Sequence, residues 1–243
     1  TRPRTGTGLA GRSPAHTVPG SRCTKSLWGP SQTLLMAQRK GIVAIVNGTP
    51  ADYGFNGKQR GITFSAIDYA TMGTKLGEGM GKCLVAKKTT TGEMIYGINS
   101  AGTVGGKEQE AAFRAGLKKY APNVKIVATV ANKGDQAANQ TAIRTVLQAH
   151  PKAIAFNGFS DEATLGGLNA FKTAGKLSSK TCIVGGGGSD EVVAAQKAGT
   201  VWAVAKLDFE GDLVQTVLTL KGMIANPNAM GKQLSVPVKV FTK

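Results

Sequence analysis

Several stretches of this 243-residue chain carry residue types that do chemistry, and their spacings decide which chemistry is possible. Gly102-Thr103-Val104-Gly105-Gly106-Lys107 has the composition of a phosphate-cradling loop. The nucleotide-binding spacing needs four residues between the glycines and a hydroxyl residue after the lysine. Here three intervene and Glu108 follows, which would place an acid against the phosphate. This stretch reads as a strand-to-helix turn. Gly185-Gly186-Gly187-Gly188 lacks the GxGxxG register and the acidic ribose partner of a dinucleotide site. It suits either a cleft-lining loop, whose amides a ligand approaches closely, or a structural turn. His16 and His150 stand far apart, and His150, at a helix end before Pro151, reads as a partner of the helix dipole. No Ser or Cys has the flanking residues of an activated nucleophile, and no His/Cys/Asp/Glu group has metal-ligand spacing. No catalytic residue, metal or cofactor is therefore expected.

The elements that must position these residues show in the periodicity. Strand-like runs are expected at 42–46, 62–66, 94–98, 124–130, 153–156, 182–184 and 201–205. Helical patterns lie between them near 69–86, 106–120, 136–149, 160–174, 190–198 and 210–225. Ala138, Ala142, Val146 and Leu147 share one helix face, as do Leu213, Val217, Leu220 and Ile224. Continuous apolar strands alternating with amphipathic helices predict an α/β fold, a doubly wound parallel sheet covered on both faces. Gly, Asn and Asp gather just after the strands, at the carboxyl edge where open α/β sheets bind ligands. Asp135, Asp161 and Asp190 each precede a helix and read as N-caps. Cys83 falls in a helix and Cys182 in a strand, where cysteine reads as a small core residue. With Cys23 they make an odd number, so at least one thiol is unpaired and no redox compartment is implied.

The formal charge of +16 invites a nucleic-acid reading, which its distribution argues against. Residues 1–40 hold seven Lys/Arg and no acid, and the remaining excess is scattered at helix ends, as in Lys87-Lys88 and Lys118-Lys119. Residues 1–33 are rich in Arg, Pro, Gly, Ser and Thr, have no periodicity, and lack the apolar core of a secretory signal. Such a segment reads as a disordered tail, a cloning remnant or a mistranslated stretch.

Four segments carry a resemblance. Lys40–Val46 resembles the fourth N-lobe strand of type I periplasmic solute-binding proteins, the ribose/galactose-type sugar-binding family of ABC importers. Ala66-Ile67-Asp68 followed by Gly73 resembles that family's crossing into the C-lobe. Ile154–Leu168 resembles its strand and (N/S)D-x-x-x-x-G helix start. Val184-Gly185, then Gly199–Val204, resembles the last C-lobe strands. Their order over about 200 residues makes the resemblance specific.

The resemblance implies two lobes closing by a hinge around a solute. It places the C-lobe at 69–207 and 236–243 and an incomplete N-lobe at 34–68 and 208–235, behind the non-family tail 1–33. It also implies ligand-binding positions, where this chain departs from the family. Gln109 stands where the family often has Arg, and Ser160 replaces Asn beside Asp161. Gly187 replaces an Asp, with Ser189 and Asp190 adjacent. Lys206 replaces a late Gln, two residues before Asp208. Phe159 offers either a stacking face or a core position. The implied function is the substrate-binding component of an ABC-type importer in the periplasm. Its partners would be a small polar solute (sugar, polyol or cyclitol) and a membrane permease, with no nucleic acid. The alternative is the effector-binding domain of a LacI-type regulator, disfavoured because 1–33 holds no helix-turn-helix pattern and Leu177–Thr181 lacks that family's proline. A Rossmann-like enzyme is disfavoured by the absent nucleotide fingerprint.

Overall fold

A computed structural model describes residues 29–99 and 105–242. His16, Cys23, most of the expected tail and residues 102–104 of the glycine turn lie outside the described residues. The chain runs α1 (Pro30–Arg39), β1 (Ala44–Asn47), a 3-10 turn (Pro50–Tyr53), β2 (Ile62–Ile67), α2 (Tyr69–Ala86) and β3 (Thr91–Ile98). There follow α3 (Gly106–Lys118), β4 (Asn123–Ala131), α4 (Gln136–Ala149), β5 (Ala153–Gly158), α5 (Asp161–Thr173) and β6 (Cys182–Gly186). It ends with α6 (Asp190–Lys197), β7 (Ala203–Leu207), α7 (Phe209–Ala225), β8 (Gln233–Val236) and β9 (Val238–Thr242).

The strands form two sheets, of order β1-β2-β8 and β4-β3-β5-β6-β7-β9. Every pairing is parallel except β7 with β9, which is antiparallel and departs from a purely parallel sheet. The chain passes between the sheets three times: after β2 through Asp68, after β7 through Asp208, and between β8 and β9 at Pro237. Proline has no N–H for a ladder, so one extended segment breaks there into two strands serving different sheets.

Side chains alternate across the larger sheet with period two. Met94, Tyr96, Ala155, Val184 and Ala203 face α2 and α3, packing with Leu76, Met80, Phe113 and Leu117. Ile95, Phe156, Ile183 and Val204 face the other side, against Ile143, Leu147, Ala170, Phe171 and Val192. The buried line of α4 runs through Asn139, Ile143 and Leu147, with Ala142 and Val146 beside it. That is about one residue round the helix from the expected face.

The smaller sheet has a far smaller core, Phe55, Ile62 and Phe64, with α1 residues Leu34 and Leu35 against it. Helix α1 starts at Pro30, four residues before the expected boundary at Leu34; proline suits the first helical position because its missing N–H has no intrahelical use. Helix α7 rests on β1 and β8, and only Met223 is buried. The apolar face expected through Leu213, Val217 and Ile224 exists, but it points outward, more than half exposed at each of the three.

The caps correct two sequence readings. Asp135 caps α4 as expected, its side chain accepting from Ala138 N–H. The caps of α5 and α6 are Ser160 and Ser189, the residues just before Asp161 and Asp190. Asp68 caps α2, accepting from Thr71 N–H at 2.8 Å and from the Thr71 hydroxyl at 2.6 Å. Those bonds, the hydroxyl's first, hold the Asp68 carboxyl below its ordinary range.

The cysteines need a larger correction. Cys83 and Cys182 are fully buried, as core residues would be, yet they form a disulfide between α2 and β6. Helical period places Cys83 on the sheet-facing side of α2 with Leu76, Met80 and Leu84, and strand alternation turns Cys182 toward that helix. Their Cα atoms lie 6.0 Å apart, within bridging reach.

Two outcomes are expected. Because the disulfide spans 99 residues, its replacement by two alanines should lower unfolding stability by about 2–5 kcal/mol in urea titration. An unchanged midpoint would show that the bridge does not form in solution. Asp68→Ala should cost about 1 kcal/mol near neutral pH. Since folding depresses this carboxyl's pKa, its contribution is present above the ordinary value of 3.8 and lost as pH falls through the folded value, so parent and variant should converge in acid. A pH-independent gap would contradict the capping role.

Candidate functional site

Both sheets point the carboxyl ends of their parallel strands toward one region. A cavity of about 420 Å³ opens there, within the range of small-molecule sites. From the larger sheet it takes Phe159, Ser160 and Asp161 after β5, Gly187 and Gly188 after β6, and Ala205, Lys206 and Leu207 at the end of β7. From the crossings it takes Ile67, Tyr69, Met72 and Phe209. A second cavity of about 410 Å³ shares Ile67 and Tyr69 with the first. Its lining also includes Asn47 at the end of β1, Gly48 and Thr49 after it, Asp52, Tyr53, Ala66, Gly105 and Glu108. The two adjoin at Ile67 and Tyr69 in a cleft between the sheets, with the Tyr69 ring packed on Gly105. Burial pushes the Tyr69 phenol up, so it stays a neutral hydroxyl.

The polar groups are held from behind. Asp161 Oδ1 accepts from Gly188 N–H and Ser189 N–H, each at 2.8 Å, tying the loop after β6 to the start of α5. Gly187 has φ +143°, a conformation that favours glycine, and a Cβ there would run into the Asp161 carboxylate. Ser160 Oγ donates to Glu162 Oε2 at 2.7 Å, and accepts from Asn132 Nδ2 at 3.2 Å and Ala163 N–H at 3.3 Å. The stem of Lys206 lies across Gly188, which leaves its ammonium as the cationic group of the first cavity's lining. This arrangement supplies aromatic rings, hydroxyls, an ammonium and two carboxylates on the second cavity's side, Asp52 and Glu108. Its chemistry is hydrogen bonding and ring stacking.

The predicted site residues divide. Phe159, Ser160, Gly187 and Lys206 meet in the first cavity. Asp208 lies in an adjoining depression, where it caps α7 through Gly211 N–H and pairs with Lys239 Nζ at 2.7 Å. The Lys239 ammonium, as its main partner, holds the Asp208 carboxyl below its ordinary range. Gln109 is fully buried in α3, its side-chain atoms unpartnered among the described residues, and it lines neither cavity. Ser189 is occupied as the α6 cap, and Asp190 is exposed outside the cleft. Sequence reasoning missed Tyr69, Met72, Asp161 and Phe209 as lining residues, together with the whole β1 side of the cleft. The available signal was position: Asn47, Ile67 and Tyr69 sit at strand carboxyl ends, as the recognised residues do.

Comparison with known proteins agrees with this geometry. The family model described as periplasmic binding protein domain matches residues 31–211. Comparison with curated proteins finds no match. Among solved structures, the chain is similar to an ABC transporter periplasmic solute-binding protein from Actinobacillus succinogenes with bound D-allose, at 16% identity and TM-score 0.74, covering 88% of this chain and 72% of that one. It is similar to an ABC transporter solute-binding protein from Burkholderia graminis in complex with D-arabinose, at 21% identity and TM-score 0.70, covering 88% and 71%. A third, from Agrobacterium vitis, holds α-D-tagatopyranose and matches at 18% identity and TM-score 0.69, covering 88% and 71%. At these identities the structures speak for the fold, and the family match spans most of the chain: it belongs to the periplasmic binding protein domain family.

Proposed function

We propose that this protein is the substrate-binding component of an ABC-type importer and takes a small polar, sugar-like solute between two lobes. One lobe is residues 34–68 with 208–235, built on the smaller sheet; the other is 69–207 with 236–243. The observation that carries the reading is the cleft between the carboxyl edges of the two sheets, with residues of two of the three crossings in its lining, where a hinge would act on a bound solute. Relatives of this fold hold monosaccharides. Phe159 and Tyr69 offer ring faces, Ser160 and Lys206 offer polar partners, and the Gly187-Gly188 backbone allows close approach. Asp208 anchors the hinge segment. Gln109, Ser189 and Asp190 line neither cavity, and the proposed contacts do not draw on them. A polyol or cyclitol has the same hydroxyl chemistry as a sugar and belongs to the same proposed class. The membrane partner is the importer's permease. A buried disulfide suits an oxidising compartment such as the periplasm.

The test is titration calorimetry of the full chain against monosaccharides, polyols and amino acids. A polyhydroxylated compound should bind, weakly where the cleft stays open to solvent. Lys206→Met and Phe159→Ala should each raise Kd about fivefold to a hundredfold, as expected for lost polar or stacking contacts. Binding of an amino acid with no response to any polyhydroxylated compound would overturn the sugar-like reading and leave the fold untouched.

A further inference from the structure

Most of the polar side chains buried in this chain are paired. Thr63, Ser65, Asn139, Thr164 and Thr181 each make a hydrogen bond through the side chain. Gln109 and Asn157 depart from that rule. They are 1% and 0% exposed, and the oxygen and nitrogen of both amides have no hydrogen-bond partner among the described residues. An amide carries two donors and an acceptor, and a buried polar group left unpaired lowers the folded-to-unfolded ratio about fivefold or more.

Both amides lie on one side of the larger sheet. Strand alternation turns Asn157, with Ala155, toward α2 and α3 and away from the face of Phe156. In register it stands between Tyr96 of β3 and Val184 of β6. Gln109 precedes Phe113 and Leu117 by one and two turns, on the face of α3 that packs into the same core. The Phe113 ring packs against Tyr96 at 4.9 Å between centroids, which brings this face of α3 to the residue beside Asn157.

The two amides therefore share a neighbourhood, are not bonded to each other, and both need a donor and an acceptor. Water supplies both and is small enough for a core. We infer that a buried water site joins Gln109 to Asn157 between α3 and β5. Buried waters typically make about three hydrogen bonds, to groups that the fold itself leaves unpaired. The site lies apart from the solute cavities, neither of which Gln109 or Asn157 lines. It ties α3, whose start at Gly105 packs on the Tyr69 ring, to β5, which leads directly into Phe159.

Nuclear magnetic resonance on the unsubstituted full chain tests for the occupant. Magnetisation should pass from water to the side-chain NH2 groups of both Gln109 and Asn157, with the sign of a bound water and not of proton exchange. A substitution cycle tests whether the occupant is shared. Gln109→Met and Asn157→Leu keep side-chain size and remove the amide. Either change alone strips the water of a partner and leaves the other amide short. Each should lower the folded-to-unfolded ratio about fivefold to a hundredfold in urea titration. The double variant leaves neither amide unpaired, so it should lose less than the two single effects combined. The resonance measurement decides alone where a single variant fails to fold. Absence of a bound-water signal at either amide overturns the inference. So do single variants more stable than the parent, or single effects that add without coupling.

Discussion

The closeness of helix α5 to strands β5 and β6 is the constraint on which the site depends. Two glycines, Gly158 and Gly185, lie under Thr164, where a Cβ on either would overlap its side chain. With no side chain between them, helix and sheet approach until the Thr164 hydroxyl reaches past its own turn. It donates to Ser160 O at 2.7 Å and to Gly186 O at 3.0 Å. One buried hydroxyl thus joins the start of α5 to the end of β6. The helix N-terminus, carrying Ser160 and Asp161, is thereby held beside the loop after β6. The Asp161 carboxylate completes the attachment by accepting two amides of that loop. Ser160, Asp161 and the Gly187-Gly188 loop of the cleft are therefore fixed by packing several residues away.

The second structural element is the trio of crossings. Asp68 and Asp208 stand at the two that lead into helices, and each caps the helix it opens. Each cap satisfies an N–H of the first turn and so ties the crossing to the helix it opens. Ile67, Tyr69 and Phe209, neighbours of these caps, line the first cavity. A solute touching both sheets and these links would interact differently with open and closed forms, which is what population of a closed state requires. The smaller sheet contributes little core of its own, and the outward apolar face of α7 follows directly. An amphipathic helix needs more sheet than three short strands supply.

Legibility in the sequence followed the range of the interaction. Periodicity reports what one helix or strand buries, so α2 and α4 lie at the expected residues and the seven expected strands within a few positions, while β8, a four-residue strand, was not expected. The caps required finer reading. Asp161 read as an N-cap because it precedes the helical pattern, but the serine before it is equally able, and only the fold shows the carboxylate turned to Gly188 and Ser189. The disulfide was hidden because Cys83 and Cys182 are far apart in sequence, and nothing local distinguishes a buried thiol from a bridged one. The apolar pattern of α7 was visible, but periodicity cannot say whether a partner element is present to receive it. Among the site residues, the loop after β6 was legible from its Gly and Asp clustering, whereas Phe159 and Ser160 after β5 and Lys206 in β7 were reached only through the family resemblance. Tyr69 and Asn47 were not legible, since their role depends on the two sheets facing each other across the crossings.

The central claim is that one cleft binds through both sheets at once. Hydrogen–deuterium exchange of the full chain, with and without a saturating mixture of aldopentoses and aldohexoses, tests it most directly. The account predicts simultaneous protection in three places: the loop after β5 at Phe159–Asp161, the glycine loop after β6, and the crossing at Ile67–Tyr69. Protection confined to one sheet, or found only at sites remote from these strand ends, would contradict it.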